Sequence, residues 1–197
     1  MQNKGSTLNI RNEGGARVRA GGQGGAGASH GAAGEFALHE RIARIVGAPA
    51  KNRVATGIGD DAAVLAALDG HPIFCSDAIV EGTHFDLRWS SPADLAWKAL
   101  GSCLSDLAAM GARPIATTIS LALPASRSSS RRKAGPRREN RAAAFIDGFY
   151  GEARAICERY ALDVAGGDLV ASPGPIFIDV AAIGSARRPV LRSTAKN

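Results

Sequence analysis

Apolar residues along this chain fall into runs of two different periods. Phe36, Leu38, Ile42, Ile45 and Val46 recur close to helical spacing, which predicts a helix over 36–46. Val54 leads into the turn Gly57-Ile58-Gly59-Asp60-Asp61, and an apolar run resumes from Ala62 to Leu65. That is the pattern of two strands joined by a tight acidic turn. A short strand over Ile73–Ser76 ends at Asp77. The clearest helix begins at Ser91, an N-cap type, with Pro92 in the first turn and Asp94 completing a capping box; it runs to Met110 and stops at Gly111. Ile115–Leu123 is strand-like. A second long helix over Arg141–Tyr160 carries Phe145, Phe149, Ala153, Ile156 and Tyr160 on one face. Leu162–Ala165 and Ile176–Ile183 complete a strand–helix–strand rhythm, so the class is α/β (α+β) with a mixed sheet.

Two stretches stand outside this rhythm. Residues 1–33 are rich in Gly, Ala and Arg and hold almost no large apolar side chain after Ile10, so they are read as a disordered tail. Residues 126–140 form a basic loop between a strand and a helix. These two stretches also account for the charge. The chain of 197 residues carries a formal +6, yet seven basic residues stand against Glu139 between 127 and 141, and four against Glu13 in the tail. The remaining residues are net acidic. The basic loop lacks the interleaved aromatics that would stack bases, so no nucleic acid is expected. No apolar run is long enough to span a bilayer, and no membrane partner is expected. Cys75, Cys103 and Cys157 are odd in number and show no CxxC spacing, which fits a reducing, cytoplasmic setting.

The residues available for chemistry are carboxylates. No Walker-type phosphate loop occurs, and none of the five lysines sits in a glycine cradle. Aspartates are instead expected at the ends of apolar segments: Asp60 and Asp61 in the glycine turn, Asp77 after one strand, and Asp168 after Gly166-Gly167. Carboxylates placed there can gather Mg²⁺ ions that bridge phosphate oxygens, or can simply make turns. Asp106 falls on a helical stripe with Leu95, Ala99, Ser102, Cys103 and Met110. Burial there would require a partner, either a structural ion pair or a metal. His84 has three readings, a metal ligand, a substrate contact or a packed loop residue, and the residues alone favour packing.

Taken in order, the segments Gly34-Glu35-Phe36, Gly57 to Leu65, Val80-Glu81-Gly82-Thr83-His84-Phe85, Trp89-Ser90-Ser91-Pro92, Leu104 to Ala112 and Gly166-Gly167-Asp168 resemble the thiamine-monophosphate kinase family. The resemblance covers roughly residues 34–195. It implies a PurM-like (AIR synthase-like) N-terminal domain, a mixed sheet with helices on one side that pairs with its twin across a β-barrel dimer interface. It also implies ATP as co-substrate, several Mg²⁺ ions, and thiamine monophosphate as acceptor. By position, Asp61, Ser76, Asp77, Asp106 and Asp168 would be magnesium ligands, with Cys75 offering its backbone. His84 would contact thiamine monophosphate; Gly167, Asp168 and Arg192 would contact ATP.

The resemblance divides the chain into the tail, an ATP- and Mg-binding domain over 34–190, and the start of a link (191–197) to a second domain that this sequence does not contain. Three positions depart from the family pattern: Cys103 where Asn is usual, Leu169 where Thr is usual, and Ala171 where Arg is common. The alternatives are a non-catalytic fragment that holds nucleotide and dimerises, or another AIR synthase-like ATP-dependent enzyme. Selenophosphate synthesis would need a reactive Cys or selenocysteine near the N-terminus, and none precedes Cys75.

Overall fold

A computed structural model of the chain describes residues 29–124 and 136–192. The elements are α1 (Ser29–Val46), β1 (Val54–Thr56), β2 (Val64–Leu65), β3 (His71–Val80), α2 (Pro92–Ala109), β4 (Arg113–Pro124), α3 (Pro136–Tyr160), β5 (Asp163–Ser172) and β6 (Phe177–Ala186). Four strands form one mixed sheet in the order β3-β6-β4-β5, while β1 and β2 pair antiparallel in a separate small ribbon. β6 runs antiparallel to both β3 and β4, and β4 runs parallel to β5 through the crossover helix α3.

Alternation along the strands assigns the two faces of the sheet. Ile178, Val180 and Ala182 of β6, with Ile119 and Leu121 of β4, are buried against Leu95, Leu100 and Leu107 of α2 and Ile146, Phe149 and Ile156 of α3. Each such large side chain contributes about 1.5–3 kcal/mol by leaving water. The opposite face carries Phe74, Ser76, Ala78, Phe177, Asp179 and Val170, and Phe74 there is 70% exposed. Helices therefore cover one side, as expected. At one end of the other side the ribbon docks through a small cluster, in which Val54 packs with Ile115, Ala116 and Ala165 and with the partly buried Leu65 and Ile183.

Local chemistry explains the boundaries of α2. Ser91 accepts from the Asp94 backbone N–H at 3.2 Å, and the Asp94 carboxylate accepts from the Ser91 N–H at 2.8 Å, the reciprocal capping box. At the other end Gly111 takes φ +67°, and the Ala112 N–H closes on the Leu107 carbonyl at 2.8 Å, a Schellman ending.

Several boundaries differ from expectation. α1 reaches back to Ser29, five residues into the stretch read as tail, and α3 starts at Pro136 inside the stretch read as basic loop. Residues 1–28 and 125–135 lie outside the described residues, as does the link beyond Arg192. Phe145, Phe149, Ala153 and Ile156 are buried as α3 requires, but Tyr160 is 38% exposed and packs edge-on against Trp97. Asp77 and Asp168 do not terminate their strands. β3 continues to Val80 and β5 to Ser172, because pairing with β6 and β4 overrides the local stop signals.

Candidate active site

Two segments about a hundred residues apart in sequence line one cleft of about 290 Å³. One wall is Ile58–Ala63, the turn between β1 and β2. The other is Ala165–Leu169 on the edge strand β5, with Thr118 beside it, and His39 and Ile42 of α1 and Tyr150 of α3 closing the helical side. Asp60, Asp61 and Asp168 are all exposed there. The Asp60 carboxylate accepts from the Asp61 N–H, and the Asp168 carboxylate accepts from the Leu169 N–H, each at 2.9 Å. Three acidic groups without an Arg or Lys among the lining residues repel a polyphosphate unless cations lie between them.

The strand wall has a specific backbone. Thr117 pairs with Val164 and Thr118 with Gly166, so Ala165 is an unpaired bulge just before Gly166-Gly167-Asp168. Gly167 then adopts φ +154° and passes so close to β4 that a Cβ would stand 2.0 Å from the Ile119 carbonyl oxygen. Only glycine fits, because a side chain here would run into β4.

The other predicted metal residues form a second group on β3 and α2. Asp77 pairs with Val180, Val180 with Ile119, and Ile119 with Gly167, which places β3 three strand spacings (about 14 Å) from the cleft wall on β5. Cys75, Asp77 and Asp106 are close enough that both carboxylates raise the Cys75 thiol pKa, after the larger effect of burial. Asp106 itself is exposed, contrary to the buried position expected from its stripe. The buried arc of α2 runs through Ala96, Ala99, Leu100, Cys103 and Leu107 over β3 and β6, and Asp106 looks out past the edge strand. Ser76 faces the opposite side of β3, where its hydroxyl donates to Asp179 at 3.0 Å.

Cys103, the departure from the family pattern, is buried; its thiol donates to the Val180 carbonyl at 3.2 Å, and burial pushes its pKa up to about 12. Burial raises the Cys75 thiol pKa as well, and both thiols are engaged with backbone carbonyls. Among the described residues no three His, Cys, Asp or Glu side chains stand close enough to share one metal ion, although Asp60, Asp61 and Asp168 line the same cleft. Mg²⁺ does not need such a cage. It takes one or two carboxylates and fills its octahedron from phosphate oxygens and water, and hard carboxylate oxygens at Asp60, Asp61 and Asp168 suit it.

His84 lies in neither group. Its ring is exposed rather than packed, its Nδ1 accepts from the Val80 N–H at 3.1 Å, and its carbonyl accepts from Lys98. With Nδ1 occupied, the neutral ring carries its proton on Nε2. It borders an open recess with Asp86, Trp89 and Ser90. Glu81 of the same motif is structural: its carboxylate accepts from the Ile176 N–H at 3.1 Å. Arg192 is exposed and lies outside the lining of the cleft; the nearby Val190 N–H bonds the Met110 carbonyl at the end of α2. Leu169 turns into the core, whereas Ala171 is exposed. Sequence reasoning did not single out His39, Thr118 and Tyr150; no motif marks them, since their place in the cleft arises from packing.

A cleft lined by a glycine–aspartate turn and a bulged Gly-Gly-Asp strand, on a mixed sheet with helices on one face, defines a class. The chain belongs to the AIR synthase related family, whose N-terminal domain matches residues 59–186. Within that family it groups with the thiamine-monophosphate kinases. It is 38% identical over 165 residues to thiamine-monophosphate kinase of Mycobacterium tuberculosis (strain H37Rv), covering 83% of this chain and 44% of that one. Against the enzyme of Bacillus subtilis it is 37% identical over 146 residues, 73% of this chain and 41% of that one. The solved kinase of Stenotrophomonas maltophilia superposes with TM-score 0.57 at 33% identity, over 80% of this chain and 43% of that one. AaThiL complexed with AMPPCP and TMP gives TM-score 0.51 at 28% identity, over 81% and 44%. The chain thus spans less than half the length of the relatives it matches.

Proposed function

We propose that this chain supplies the ATP-binding part of a thiamine-monophosphate kinase, which transfers the γ-phosphate of ATP to thiamine monophosphate and yields thiamine diphosphate. The observation that carries this reading is the convergence of Asp60, Asp61, Gly167 and Asp168 on one cleft. It agrees with a solved relative that is complexed with AMPPCP and TMP.

The attacking group is a phosphate oxygen, already largely ionised near neutrality because its second pKa is about 6, so no general base is required. The work left to the protein is alignment and charge compensation. Magnesium held by Asp61 and Asp168 would supply the positive charge that the polyphosphate needs; of the other expected ligands, Asp77, Asp106 and the Cys75 backbone form a separate group around β3, about 14 Å from that wall, and Ser76 faces the other side of β3. Gly167 lets β5 lie close against β4 at the cleft wall, and Arg192, exposed and outside the cleft lining, would add a cation to the polyphosphate by reaching in from the segment after β6. The exposed His84 ring, whose Nδ1 is engaged by the Val80 N–H, would donate from Nε2 to the substrate phosphate.

The open sheet face, with Phe74 70% and Phe177 39% exposed, is where a second copy packs to make a homodimer. Among the described residues no helix is long and apolar enough to cross a membrane, and the proposed location is the cytoplasm.

A second reading, a dimer that holds nucleotide without turnover, is favoured by the separation of the Asp77 and Asp106 group from the cleft. Mass spectrometry of the chain incubated with ATP, Mg²⁺ and thiamine monophosphate distinguishes the two. Thiamine diphosphate formed with ADP, and lost in Asp168→Asn, supports the kinase. No product from protein shown to be folded supports the second reading.

A further inference from the structure

The cleft is built between two sheets that no hydrogen-bonded ladder joins. Its acidic wall belongs to the β1–β2 ribbon and its glycine wall to β5. Two kinds of contact therefore set the distance between the walls. One is the small apolar cluster of Val54, Ile115, Ala116 and Ala165. The other is an ion pair. Arg53, the residue before β1, donates from Nε to Asp163 Oδ2 at 2.5 Å and from Nη2 to Oδ1 at 3.1 Å.

Asp163 is the first residue of β5. Its side chain is 13% exposed and that of Arg53 28%, which makes this the most buried of the ion pairs among the described residues. The two-pronged geometry fixes orientation as well as distance. Both residues stand just upstream of the functional segments. Arg53 lies four positions before Gly57, about 13 Å of extended chain, and Asp163 three positions before Gly166, about 10 Å. The Arg53 carbonyl also accepts from the Ala66 N–H at 2.9 Å, which ties the returning arm of the ribbon to the same residue.

We infer that Arg53 and Asp163 form a clamp that docks the β1–β2 ribbon on the sheet and so sets the width of the cleft between Asp60-Asp61 and Gly167-Asp168. They are positioning residues and touch no ligand; the inference rests on the proposed function only for what the cleft binds. Breaking the clamp leaves the ribbon held by the apolar cluster around Val54, with Leu65, Leu68 and Ile183 packed against it, and lets it swing. The carboxylates of the two walls then lose their common spacing, while the helical core stays intact.

The test is amide hydrogen exchange on the full chain, which needs no ligand. In Arg53→Gln, exchange over 53–66 is expected to rise about tenfold, with α2 and α3 unchanged, as local opening of one unit requires. Arg53→Lys keeps the charge but loses the fork, and gives a smaller rise in the same segment. The double variant Arg53→Asp with Asp163→Arg restores the contact in reverse and returns exchange to within about twofold of the parent. Unchanged exchange over 53–66, an equal rise throughout α2 and α3, or no recovery in the double variant would overturn the clamp. Should Arg53→Gln not fold, Arg53→Lys and the reversal decide by the same pattern. Affinity for Mg·ATP is measured in parallel on the parent chain. Its absence would count against the nucleotide reading, while the exchange pattern still decides the clamp.

Discussion

Gly167→Ala should be among the most damaging single-methyl additions this fold can receive. A Cβ there would stand 2.0 Å from the Ile119 carbonyl oxygen and 2.8 Å from its carbon. Ordinary contact for such a pair begins near 3.4 Å, so β5 must retreat from β4 by about 1.4 Å, close to a third of the strand spacing. A shift of that size breaks the adjacent ladder bonds between β4 and β5. The expected cost is about 3–5 kcal/mol, at the upper end for a point substitution.

The neighbouring glycine provides the control. A Cβ at Gly166 meets only Thr118 Cγ2 at 3.8 Å, an ordinary contact, so Gly166→Ala should change stability by less than about 1 kcal/mol. Urea unfolding followed by far-UV circular dichroism reads both. With a slope of about 1–3 kcal/mol per molar, Gly167→Ala should lower the midpoint by roughly 2 M. Coincident midpoints for the two variants would refute the close approach of β5 to β4.

Gly101 lies inside α2 with nothing within 4 Å of an added Cβ, so Gly101→Ala should stabilise the chain by about 0.5–1 kcal/mol, read as a higher urea midpoint. Asp94 is held below its ordinary pKa by the Ser91 hydroxyl, then by the Ser91 backbone N–H. A depressed carboxylate stabilises the fold above its unfolded pKa and loses that contribution as pH falls through the folded value. Thermal melts should therefore show the parent more stable than Asp94→Asn by a steady gap above about pH 4, with the two converging as pH drops below it. A constant gap between them at all pH values would contradict the capping geometry.

The main elements were legible because their signals were local. The α2 capping box and the Gly111 stop are written in adjacent residues, and the buried face of α3 follows the helical period from Phe145 to Ile156. The strands β3 and β5 of the main sheet extend beyond the apolar runs that mark them, to His71–Val80 and Asp163–Ser172. Glycines at 166 and 167 read as a terminator, whereas the structure uses a bulge at Ala165 and an open φ at Gly167 to carry β5 past them. That outcome depends on β4, some fifty residues away, and no local pattern encodes it.

The exposure of Asp106 has a related cause. A helical wheel gives its angle but not where the sheet ends, and β3 is an edge strand. The aspartates were identified by type and motif, and the structure gathers Asp61 with Asp168 and, apart from them, Asp77 with Asp106. Their division into two groups follows from the strand order β3-β6-β4-β5, which is a property of topology. The remaining lining of the cleft, His39, Thr118 and Tyr150, comes from three different elements and carries no motif at all.

The most direct test of the central claim, that the cleft between the acidic turn and the Gly-Gly-Asp strand binds nucleotide through magnesium, is isothermal titration of the chain with a non-hydrolysable ATP analogue. The claim predicts binding heat with Mg²⁺ present, none in EDTA, and at least a tenfold weaker isotherm in Asp61→Asn and in Asp168→Asn. Asp69→Asn, an exposed carboxylate paired with Arg187 away from the cleft, should bind like the parent. Binding that persists in EDTA, or that both cleft variants leave undiminished, would contradict the assignment.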